Sequence, residues 1–146
     1  MPTPAEAKIR RAEVHRLGLS TPPIYDEIDD ACLGENINGI GPDAFPHWLR
    51  ATTTSLFSVF LPAADVHDIE YTFGDGTREQ WHAANRRFQD NCEICLQDEV
   101  RGLHWWQILQ RRALRKEADF LFFEVETEIA YQSYLAACNR RKRSQP

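Results

Sequence analysis

Apolar residues recur at helical spacing through most of this chain, and strict β-type alternation never lasts more than a few residues. From Pro4 to about Leu17 the positions Ala7, Ile9, Ala12 and Val14 form a rough stripe. Gly18 ends that helix and Pro22-Pro23 prevents a restart. Gly34 to Pro46 holds three glycines and two prolines and reads as a loop, with a short helix expected over His47 to Phe57. Pro62 suits the first turn of a further helix, where its missing N–H is no loss, and Gly74-Asp75-Gly76 stops that helix after about Phe73. Thr77 with Gln80 three residues on matches a capping box, and Trp81, Ala84, Phe88, Cys92 and Cys95/Leu96 carry the helical period to about Glu99. Gly102 marks a break. From His104 to about Arg141 the pattern fits one long helix or two, carrying Trp105, Ile108, Leu109, Phe120, Phe123, Ile129, Tyr131 and Tyr134. The pattern predicts an all-α fold.

Bulk properties narrow the partners more than the fold. A length of 146 residues predicts one domain, and 42% apolar with 27% charged residues is ordinary for a soluble globular chain. The net charge of −5 argues against nucleic acid as the main partner, because phosphate binding needs a concentrated positive face. The one dense basic cluster, Arg140-Arg141-Lys142-Arg143, reads as a frayed, solvated tail. No segment has the run of roughly 18 apolar residues that a membrane span needs. Four cysteines, with no apolar signal-like run before Leu19, favour a reducing compartment. The expectation is synthesis in the cytoplasm, with non-classical export or phage release as routes outward.

The chemistry concentrates around His67-Asp68. With the hairpin apex at Asp75, His67 lies eight residues before it and Asn85 ten after, so the two stand at nearly equal depth on antiparallel helices. At about 100° per residue, Asn85 falls within about 60° of Trp81, Phe88 and Cys92 and so faces inward. Asp90 is rotated from Asn85 by about 140° and is a poor partner for His67. An amide on an apolar face needs a hydrogen-bond partner, and the His67 imidazole is the obvious one. Tyr71, one turn beyond His67, can join them. Asp68 presents a carboxylate beside the imidazole, and Asn38-Gly39-Ile40-Gly41-Pro42 with Asp43 offers backbone carbonyls. That oxygen set suits calcium better than zinc.

The run Phe60-x-Pro62-Ala63-Ala64-x-x-His67-Asp68-x-x-Tyr71 resembles the active-site helix of the phospholipases A2, above all their small prokaryotic, fungal and phage-associated members. Asn38-Gly39-Ile40-Gly41-Pro42 is similar to the Asn-Gly-Cys-Gly-Pro calcium loop of bacterial relatives, and Ala84-Asn85-x-x-Phe88 resembles an element of their second long helix. The likeness spans about Asn36 to Asn91. It implies a phospholipase A2-type helical hairpin core over residues 36–91 within a single domain of residues 1–146, flanked by helical segments over residues 1–35 and 102–146. It also implies calcium-dependent hydrolysis of the sn-2 ester of a phospholipid at a membrane surface. His67 would activate water, with Asn85 and Tyr71 holding the imidazole. Asp68, Gly39, Gly41 and Asp43 would bind Ca2+, and the Gly41 N–H would donate to the oxyanion.

Two positions depart from the family. Ile40 and Ala64 replace both halves of a disulfide that relatives usually carry between loop and helix, which fits packing in a reducing compartment. Asn85 replaces the acid that normally orients the histidine. An amide can accept the imidazole N–H but cannot stabilise imidazolium by charge, so the sequence predicts that Asn85→Asp raises the rate. It also leaves open the alternative of a catalytically impaired relative serving as a binding or structural module. Cys92-x-x-Cys95 on one helix reads as structural thiols, as do Cys32 and Cys138. His82 and His104 lack the spacing of a phosphohydrolase metal site. Trp105-Trp106 reads as one ring packed in the helical core and the other exposed.

Overall fold

The computed structural model describes residues 1–37, 57–101 and 107–144. Asn38 to Asp43, all but the last residue of the helix expected over His47 to Phe57, Gly102, and His104 to Trp106 lie outside the described residues. Every regular element among those described is helical. We number the α-helices in chain order: α1 Pro4–Leu17, α2 Pro23–Glu27, α3 Asp30–Asn36, α4 Leu61–Phe73, α5 Arg78–Arg101, α6 Ile108–Val125 and α7 Glu128–Ser144, with a 3-10 turn over Phe57–Phe60 before α4.

Local signals set most helix ends. Thr3 and Glu6 cap α1 reciprocally, and Gly18 closes it at φ 67°, a backbone region that favours glycine. Pro62 sits in the first turn of α4 and Gly74 follows its last residue. The Thr77 hydroxyl accepts from Gln80 N at 3.2 Å as a capping box requires. The return bond is different, since Thr77 N donates to Asp75 at 2.7 Å and the Gln80 side chain accepts from Asp75 N. The stretch after Gly102 resolves into two helices, broken at Glu126-Thr127.

Four expectations need correction. Pro23 does not block a helix; it opens α2, because a proline at N1 has no N–H to lose. Gly34 lies inside α3 and does not begin a loop. A Cβ there would come within 2.7 Å of the Pro2 carbonyl, so close approach of the N-terminus is what the glycine permits. The stripe on α1 is also different: Ala7 and Val14 are buried but Ile9 is 69% exposed. Arg10 and Arg11 take inward positions instead, pairing with Asp65 and with the Ile28 carbonyl. The C-terminal basic cluster is helical up to Ser144, with the Arg141 guanidinium 4.1 Å from the centre of the Phe73 ring.

Helices α4 and α5 form the central antiparallel hairpin, with α1 and α3 against α4 on one side. Helix α6 runs along α5, and α7 returns along α4. The main core gathers Tyr25, Leu33, Ile37, Phe60, Val66 and Ile69 with Phe88, Cys92 and Leu96. A second cluster of Trp81, Tyr134 and Cys138, with Tyr71, Tyr131 and Leu135 against it, closes the apex end of the hairpin. Buried Asn91 bonds twice to Ser20, accepting from its N and donating to its O at 2.9 Å each, which pins the segment after α1 to α5. None of the described helices is long and apolar enough to cross a membrane.

Candidate functional site

Helix α4 buries the residues around His67 on both sides of the imidazole. Asp65 is 1% exposed, His67 7% and Glu70 6%. Asp65 is held by Arg10, whose Nε donates to Oδ2 at 2.6 Å, and Glu70 pairs with Arg87 of α5. Burial pushes both carboxyls up, to about 7 in each case, while the paired arginine pulls the other way. The two ion pairs lock the rotation of α4 against α1 and α5, and this rotation turns His67 toward α5.

The arithmetic of the hairpin holds at the centre. His67 Nε2 lies 3.0 Å from Asn85 Oδ1, and the Tyr71 hydroxyl donates to the same oxygen at 3.0 Å. The imidazole packs against two aromatic rings, its centroid 4.1 Å from that of Tyr71 and 4.6 Å from that of Phe88, both tilted. Asp90 is exposed on the far face of α5. Burial holds the His67 pKa down to about 4, and the bond to Asn85 raises it only in part. The imidazole is therefore neutral at physiological pH. Desolvation also keeps the Tyr71 phenol far above its ordinary range and so protonated.

Two partners in this cluster carry no sequence signature. Trp81 Nε1 donates to the Tyr71 hydroxyl at 2.9 Å, although its spacing marks it only as a core residue. Asn85 Nδ2 donates to the main-chain carbonyl of Val125, the last residue of α6, at 2.8 Å. A main-chain carbonyl at a helix end cannot be read from side-chain pattern. Tyr134 of α7 packs edge-on against Tyr71 at 5.1 Å between centroids, and its hydroxyl accepts from Gly76 N at 3.1 Å.

Asp68 follows His67 on α4 and is half-buried. The carbonyl donors expected beside it, at Gly39, Gly41 and Asp43, lie outside the described residues. Among the described residues no three His, Cys, Asp or Glu side chains stand together as a metal cluster. Cys92 and Cys95 are buried free thiols, both pushed up by desolvation, Cys95 to about 11. His82 lies 3.5 Å from Glu126 and is partly exposed. Compared with family models, with curated proteins and with solved structures, the chain finds no match.

Proposed function

We propose that this chain is a calcium-dependent phospholipase A2-like hydrolase that cleaves the sn-2 ester of glycerophospholipids through water activated by His67. The observation that carries the reading is the shared bond of His67 and Tyr71 to Asn85, on two antiparallel helices in the register of the resemblance. The amide oxygen can only accept, so the proton sits on His67 Nε2 and the Nδ1 lone pair is left as the base. Tyr71 and Phe88 pack against the ring and restrict its rotation. Asp68 offers one ligand of the kind a hard cation takes, a half-buried carboxylate one position from the base. Asp68 with Gly39, Gly41 and Asp43 would hold Ca2+, which when bound supplies charge to the lipid phosphate and to the oxyanion. The Gly41 N–H would be the second oxyanion donor.

One observation favours the alternative of an impaired module. His67 is 7% exposed and the polar partner described for it is an amide, not a carboxylate, so its imidazolium would be poorly stabilised. Release of fatty acid from phospholipid vesicles, with calcium and with chelator, separates the two. The hydrolase reading expects turnover that needs both calcium and His67, with His67→Ala lowering it at least a hundredfold. Turnover indifferent to either, or none, leaves the impaired module.

A further inference from the structure

The bonds around Asn85 run in one direction only, because the groups at both ends of the chain have no choice. The Val125 main-chain oxygen is an acceptor alone, so at 2.8 Å it takes the NH2 end of the Asn85 amide. Trp81 Nε1 is a donor alone, so at 2.9 Å it occupies a lone pair of the Tyr71 oxygen and directs the phenol proton elsewhere. That proton goes to Asn85 Oδ1, which also receives His67 Nε2–H. Asn85 is 0% exposed, so no water can substitute for a partner lost here.

We propose that the Val125 carbonyl is a positioning group for His67 and that it makes an amide, not a carboxylate, the fitting residue at position 85. A carboxylate there would aim oxygen lone pairs at the Val125 oxygen, two acceptors face to face in a site closed to water. The contact would survive only if the carboxyl kept a proton, and a protonated carboxyl loses the charge that makes an acid useful beside a histidine. Asn85 satisfies both ends at once, accepting from the imidazole and donating to the helix end. Helix α6, outside the stretch that resembles the phospholipases, thereby takes part in setting the ring's tautomer. On this proposal Asn85→Asp lowers the rate, where the sequence alone predicts a gain. The inference does not depend on a lipid being the substrate.

The test needs no turnover. In the wild-type protein, NMR should show a scalar coupling across the hydrogen bond from Asn85 Nδ2 to the Val125 carbonyl carbon, and His67 protonated at Nε2 with Nδ1 bare. Absence of the coupling, or a proton on His67 Nδ1, overturns the proposal. Asn85→Asp should unfold at a lower temperature than wild type, with a gap that widens from pH 5 to pH 8 as the introduced carboxyl is forced to ionise. A gap that stays level, or a variant as stable as wild type at pH 8, also overturns it.

Discussion

Burial disfavours the charged form of His67 more than its bond to Asn85 favours it. Tyr71 and Phe88 pack tilted against the ring, and the one polar partner described for it, the Asn85 amide, offers a dipole in place of a charge. The folded pKa of about 4 lies below the ordinary 6.5, so the stability that His67 contributes is present above pH 6.5 and is lost as pH falls toward 4. An NMR titration should find the ring neutral to near pH 4, and a midpoint near 6.5 would mean that water reaches it. Helical spacing alone brings His67, Tyr71 and Asn85 together, because a 100° step and a known apex place side chains on faces. It could not disclose Trp81 and Val125. The tryptophan is indistinguishable from apolar filling until its N–H has a partner, and the carbonyl belongs to no residue type.

Helix α4 is oriented by charged pairs as well as by apolar contact, and here hydropathy misleads. Asp65 and Glu70 are acidic, yet each is buried against an arginine from a neighbouring helix. Arg10 likewise breaks the apolar stripe on α1 because its partner, not solvent, takes its charge. Their burial has a signed consequence. The folded pKa of Glu70, about 7, exceeds its ordinary 4.5, so its contribution is most favourable below pH 4.5 and declines as pH rises through 7. Arg87→Met leaves that carboxyl buried and unpaired. Because Arg87 is itself 29% exposed, the expected loss is about 2–3 kcal/mol at pH 8, below the range for a fully buried pair. At pH 5 the carboxyl is protonated and the loss should be small. Urea unfolding at the two pH values checks this, and equal losses would show that the pair contributes no charge effect. The long helices were legible because capping residues, prolines and glycines mark their ends. Helices α2 and α3 were not, being too short for a period to emerge, and Gly34 serves a contact with Pro2 that lies far away in sequence.

At the scale of the molecule, the two C-terminal helices finish a hairpin that would otherwise leave its polar centre wet. Helix α6 supplies the Val125 carbonyl, and α7 lays Tyr134 over Tyr71 and brings Cys138 to the Tyr71 carbonyl at 3.3 Å. The fit is tight at Gly74, where a Cβ would run into the Tyr134 ring, so the apex glycine and the distant tyrosine are matched. Not every apolar position joins this cover: Leu109, Phe123 and Ile129 are exposed, because the buried faces of α6 and α7 are set by Leu114, Leu121, Tyr134 and Cys138. Tyr134→Ala should therefore act twice. Loss of a wholly buried aromatic is expected to lower stability by about 3–5 kcal/mol. Water entering the space should also relieve the desolvation of His67 and move its pKa up from about 4 toward 6.5. The second effect separates a cover from mere ballast. If the unfolding temperature drops while the His67 titration stays where it was, α7 stabilises the chain without shielding its histidine, and dryness at the hairpin centre must come from α4, α5 and α6.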